Sequence, residues 1–290
     1  MGTGPRQKST RIVRPSFWVG LLCLGCGAAP PAPVLDLPSR PIDALGGAQV
    51  AREIRALDVD AREERIYAEV SSGNVPTWFR RLEPVEITDE VGGRQHRVTF
   101  WVTPDYLAVG SDDDFFLVPL SGRTGQRIAD LLGCSLPTRR MVDAVWASAR
   151  VRLTPIRIEP DDSMRTVRYF ERHNHLISGQ RLLYKVPPGT FVAGHKVDVV
   201  LSPALAEKPG NVALYGWHTL DGRPVHTLYT GREDGLVVFS HGIRLVDRRI
   251  HIDGVGRDLP HVLSDPGLAA LLSDEGVIAE ARYPVLRNHP

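Results

Sequence analysis

The 290-residue chain predicts an α+β fold, with a mixed N-terminal lobe over 42–159 and a β-rich, mainly antiparallel C-terminal lobe over 160–290. Three observations lead there. Helical periodicity and strand-type runs alternate before Pro160-Asp161-Asp162-Ser163. After it come mostly short runs of Val, Ile, Leu and aromatics, bounded by Gly, Pro, Asp or Asn. No long flexible linker parts the halves, so they read as lobes of one domain.

The first residues lie outside that fold. Arg6, Lys8, Arg11 and Arg14 precede the apolar run Phe17 to Leu24, which is too short to span a bilayer as a helix, so residues 1–25 read as an export signal. Gly25-Cys26 sits where a lipoprotein signal places its acceptor, which makes Cys26 the expected lipidation site. An ordinary signal peptide cut near Ala28 or Ala29 is the alternative. Either reading exports the chain, to the cell envelope or beyond it, with membrane association through a lipid anchor only. Residues 26–41 read as a Pro-rich linker.

The 35 Lys+Arg against 34 Asp+Glu leave a formal charge of +1, so no field favours nucleic acid or an anionic membrane surface. Of Cys23, Cys26 and Cys134, only the last lies in the globular part, so no disulfide framework holds the fold. Cys134 has no cation at helical spacing and reads as a buried structural thiol.

Ile42 to Val70 carries Ala, Arg, Glu and Leu with few breakers and predicts one or two amphipathic helices, stopped by Ser71-Ser72-Gly73-Asn74. Pro76 opens a helical turn in which Trp78 and Phe79 pack. Strands are expected over 85–88, 97–102, 106–109 and 115–120. Asp112, Asp113 and Asp114 read as a solvated, capping turn, because calcium loops alternate their ligands. Residues 122–132 and 137–149 predict helices, the second with Met141, Val142, Val145 and Trp146 on one face. Residues 149–158 read as an edge strand around Pro155. Residues 265–272 (DPGLAALL) read as a late helix with Asp265 as its cap.

Residues that carry chemistry concentrate between Phe191 and Val246. His195, His218 and His241 fall in three successive strand-type runs, the pattern of neighbours in an antiparallel sheet. Three imidazoles, or His195 and His218 with Asp198, would suit Zn²⁺ with one position left for water. Alternatively, Ser240 is activated by a histidine that a carboxylate orients. The expected catalytic set is His195, His218, Ser240, His241 and Arg244. In it His195 and His218 are ligands or bases, Ser240 and His241 polarise the scissile group, and Arg244 holds an anionic end or pairs with Asp198. Arg172-His173-Asn174-His175, read as a strand, puts two imidazoles on one face, as a rival metal site or as exposed edge histidines. No HExxH or GxSxG occurs, and the one CxxC, Cys23 to Cys26, falls at the end of the expected export signal.

Ser240-His241-Gly242, followed by Ile243-Arg244, resembles the signature of the L,D-transpeptidase family: Ser/Thr-His-Gly-Cys, a hydrophobic or small residue, then Arg or Asn. His226 stands nearest to the family's upstream histidine, and Pro187-Pro188-Gly189-Thr190-Phe191 resembles its proline-glycine strand start. The nucleophilic cysteine has no counterpart, since Ile243 follows Gly242 directly, and Thr227 rather than glycine follows His226. The resemblance implies a β-rich envelope domain that handles peptidoglycan peptides without cysteine chemistry. The expected function is an exported envelope hydrolase acting on cell-wall peptide or a related polymer. The alternative is a non-catalytic envelope binding or assembly lipoprotein.

Overall fold

The computed structural model describes residues 1–2, 32–159 and 161–283. Residues 3–25 of the expected export signal, Cys26 and Pro160 lie outside the described residues. From Ala32 onward the chain forms one unit, and a boundary near Asp161 separates nothing. The reason is in the pairing, because strands from both expected lobes share one sheet.

The elements, in order, are α1 (Gly47–Glu53), α2 (Val59–Ser71), β1 (Glu83–Val91), β2 (Arg94–Val102), β3 (Ala108–Gly110), β4 (Phe115–Leu117), α3 (Gly122–Leu131), β5 (Cys134–Ser135), α4 (Arg139–Ser148) and β6 (Val151–Arg152). There follow α5 (Val167–Leu183), β7 (Val192–Ala193), β8 (Val197–Val199), β9 (Asn211–His218), β10 (Pro224–Glu233), β11 (His241–Gly242), β12 (Val246–Asp247), β13 (Arg249–Ile252), β14 (Val255–Asp258) and α6 (Leu259–Ser264). Helices and mainly antiparallel sheets make this an α+β fold. Among the described residues no helix is long and apolar enough to cross a membrane.

Local chemistry sets the helix starts. Asp58, Ser121, Thr138 and Thr166 each accept a hydrogen bond from a first-turn backbone N–H of the helix that follows. In the first sheet β2 pairs with β1, β12 and β13, so 94–102 and 246–252 share one core. The second sheet runs β10-β9-β8-β11. β8 and β9 are antiparallel, as expected, but β11 lies parallel to β8, with His241 opposite Val197. The chain leaves β9 through the β10 hairpin, which fills one edge, and returns along the free edge of β8.

Several expectations give way. The 26–41 linker, where described, is packed: Leu35 is buried, and the Arg80 guanidinium donates to the carbonyls of Leu37 and Pro38. His173 and His175 stand on α5, not on a strand. That helix buries Val167, Phe170, His173, Ile177 and Arg181 at a spacing of three or four, so two of the five residues on its inward stripe are polar. The late α-helix is 259–264, with Pro260 in its first turn, and the expected span 265–272 holds only a single 3₁₀ turn at Ala269–Leu271. Asp265 instead accepts from the Gly267 N–H in a local turn at 2.7 Å. Asp112 and Asp114 do not cap the element that follows them but two earlier ones: they accept from the N–H groups of Thr77 (2.6 Å) and Ala48 (2.9 Å).

Candidate functional site

One face of the second sheet forms the floor of a cleft of about 560 Å³. Val197 and Leu214 supply its apolar floor, Phe239, Ser240 and His241 one end, and His226 and Arg232 of β10 the other. The segment before α5 closes it with Arg157, Glu159 and Met164. Ser240, His241 and His226, the residues that carry the family resemblance, therefore meet in one cleft. Gly242 is required for this placement, because a Cβ there would lie 2.5 Å from the Tyr106 ring and 2.9 Å from Lys196 Cβ.

The cleft is cationic. Arg157 and Arg232 line it without an ion pair or a side-chain hydrogen bond among the described residues, against the single acid Glu159. His226 is held below its ordinary pKa by burial, then by Arg232 and Arg157. His241 is pushed down to about 3 by burial, with Arg232 and Lys196 adding repulsion. Leu120's carbonyl approaches its ring, yet neither nitrogen closes a hydrogen bond. Both imidazoles are thus neutral at pH 7, each able to donate one N–H and accept at the other nitrogen.

His218 is excluded from this cleft by a break in strand alternation. Leu214 faces the cleft and Tyr215 faces α4, so regular pleating would send Trp217 to α4 and His218 to the cleft. Gly216 has φ +102 and Trp217 has φ +58, which reverses the order. A positive φ at a bulky residue is strained, and the Trp217 indole N–H donating to the His195 carbonyl at 3.2 Å helps to hold it. Trp217 consequently lines the cleft. His218 turns to α4, where its Nε2 lies 2.8 Å from Asp143 Oδ1, its ring stacks on Trp146, and the Tyr215 hydroxyl donates to the same carboxylate.

His195, Asp198 and Arg244 belong to a buried network behind the sheet. Nε2 of His195 lies 3.1 Å from Asp105 Oδ1, and Arg181 donates to the other oxygen of that carboxylate. Burial alone would raise Asp105, but Arg181 and His195 outweigh it and hold it at about 2. Burial also pushes His195 down to about 4. Asp198 accepts from the Tyr106 hydroxyl at 2.8 Å and is raised by burial to about 6, although Arg244 Nε is 3.9 Å away. Arg244 is fully buried, donates to the carbonyls of Thr103 (2.7 Å) and Val192 (2.8 Å), and lies over the Tyr106 ring. It reaches no solvent and no cleft wall, so its role is structural rather than one of holding a substrate's anionic end. Lys196 donates to the Phe239 carbonyl at 2.8 Å and is lowered by burial to about 7.

The expected zinc set therefore does not assemble: His195 turns to Asp105, His218 to Asp143, and Asp198 to Tyr106. Among the described residues no three His, Cys, Asp or Glu side chains gather as a metal site. His173, of the rival H-x-H pair, is buried against Phe239, while His175 flanks a separate surface hollow with Asp113 and Asp114. Those acids do not face the histidine cleft. Cys134 is buried, its thiol pushed up by burial. The sequence offers no signal for Arg157 and Arg232 beyond their place beside strand-type runs; the aromatics of Tyr215-Gly216-Trp217-His218 are expected at a strand end where they floor a pocket, and of them Trp217 lines the cleft. Comparison with protein families, characterised proteins and solved structures finds no match for this chain.

Proposed function

We propose that the chain is an exported envelope protein whose cleft binds a short anionic segment of cell-wall peptide, or of a related polymer, without forming a covalent bond to it. The observation that carries this reading is the meeting of Ser240, His241 and His226 in one cleft with two arginines that have no ion-pair partner among the described residues. The arginines suit a carboxylate, the neutral His226 imidazole and the Ser240 hydroxyl suit peptide groups, and Trp217 and Phe239 offer apolar contact. Export rests on the basic and apolar residues of the first twenty-five positions, and lipid anchoring on Gly25-Cys26.

A charge-assisted hydrogen bond contributes about 1.5–3 kcal/mol. Arg157→Ala and Arg232→Ala are each expected to weaken co-sedimentation with purified cell-wall sacculi by roughly tenfold or more. Equal sedimentation of both variants and the parent would contradict the reading. Ser240 beside His241, in one cleft with His226, also favours a second reading, a hydrolase. Soluble fragments released from sacculi by the parent chain, and not by Ser240→Ala, would select it.

A further inference from the structure

We infer that the C-terminal tip of α5 rests on the lipid bilayer to which this chain is tethered, with Leu182, Leu183 and Tyr184 inserted at the headgroup boundary. This rests on the proposed lipidation of Cys26. Single exposed apolar residues need no explanation, but here three successive ones stand in the open, at 81%, 73% and 54% exposure. Leu176, one face-repeat before Leu183, is exposed as well. The residue after the tip is Lys185, exposed and in the left-handed region at φ +52, followed by Pro187-Pro188-Gly189. Two leucines, a tyrosine and a lysine form an interfacial set: apolar chains in the acyl boundary, a hydroxyl and an ammonium reaching the headgroups.

The path of the chain argues for the bilayer as the occupant. Val34 bridges Arg81, at the end of the short helical turn Thr77–Arg80 that carries Trp78. Trp78 packs on the cluster that holds Val186, two residues past Tyr184, and a Cβ on Gly189 would lie 2.7 Å from Trp78 Cβ. The tether thus joins the folded unit a few residues, through packing, from the exposed tip. Cys26 precedes Ala32 by six positions, which span at most about 20 Å however they are arranged. A lipid on Cys26 would hold this end of the domain against the membrane. Loss of residues 1–25 removes Arg6, Lys8, Arg11 and Arg14 and takes the formal charge from +1 to −3, which fits insertion of apolar groups rather than attraction to anionic lipid.

The test uses the full chain recovered from bacterial membranes, carrying Leu183→Cys or, on the β13–β14 hairpin, Val255→Cys as control. The added thiol is labelled with a polarity-sensitive fluorophore, while Cys134 stays buried. Mass analysis reports lipid on Cys26, and flotation with phosphatidylcholine vesicles reports the tether. The expected result is blue-shifted emission at position 183, quenched by nitroxide on the lipid acyl chains, and neither effect at 255. A lipidated chain that floats with no shift at 183 overturns the docking and leaves the anchor standing. An unmodified Cys26 with no flotation overturns anchor and docking together, without touching the cleft. A shift at 183 that needs no vesicles and rises with protein concentration would assign the tip to a second copy of this chain, and so overturn the bilayer.

Discussion

Arg244→Met is expected to remove about 3–5 kcal/mol of folding stability, the range for breaking a buried charge pair from one side. The guanidinium is fully buried, donates to two backbone carbonyls and faces the Asp198 carboxylate. A methionine keeps much of the volume but leaves the carbonyls of Thr103 and Val192 without their donor and Asp198 without its nearest cation. Urea unfolding at pH 7.5, followed by circular dichroism, measures the loss. A change below about 1 kcal/mol would show that the arginine is a passive filler. The opposite expectation holds for Arg232→Ala, a partly exposed cleft residue, which should leave the midpoint nearly unchanged while binding falls.

Stability is also expected to fall steeply in mild acid. His173, His195 and His241 are buried, and burial holds them at about 2, about 4 and about 3, against an ordinary 6.5. A histidine with a lowered folded pKa contributes its full stability above 6.5. That contribution drains as pH drops below 6.5, because the unfolded chain takes up the proton first, at about 1.4 kcal/mol per pH unit for each group. Asp198 works the other way. Raised to about 6 from an ordinary 3.8, it is protonated in the folded chain first, so stability rises as pH falls from 6 towards 3.8. Asp105, held at about 2, joins the loss only below 3.8, and Lys196, lowered to about 7, makes its change between 10.5 and 7. Between pH 7 and pH 5.5 three imidazoles against one carboxylate leave a net loss on the order of 3 kcal/mol, a large share of a typical domain's stability. Unfolding free energies at the two pH values test this, and a stability unchanged or higher at pH 5.5 would contradict it.

Much of the fold was legible because local signals agree with tertiary ones. Met141, Val142 and Val145 make an unbroken apolar face, and Thr138 caps it, so α4 could be read directly. α5 hid because its inward stripe includes His173 and Arg181, polar side chains satisfied or tolerated only by the three-dimensional setting. Within the site, Ser240 and His241 were readable from their motif, and His226 from its position upstream. His218 misled because two positive φ angles at Gly216 and Trp217 invert the strand faces. A periodicity of two does not register such a reversal. His195 misled for a different reason: its partners Asp105 and Arg181 lie on distant segments, and only folding brings them to it. Arg157 and Arg232 carry no motif at all, and their shared cleft is a product of topology.

The central claim, that the cleft holds an anionic peptide end non-covalently, is tested most directly by titrating the protein with a short cell-wall stem peptide and with its C-terminal carboxamide. Fluorescence of Trp217, compared with a Trp217→Phe variant, reports occupancy at the cleft. The account predicts saturable binding of the free acid, at least about tenfold weaker binding of the amide, and loss of that preference in the Arg157→Ala, Arg232→Ala double variant. Equal affinity for acid and amide, or a signal that survives Trp217→Phe unchanged, would contradict it.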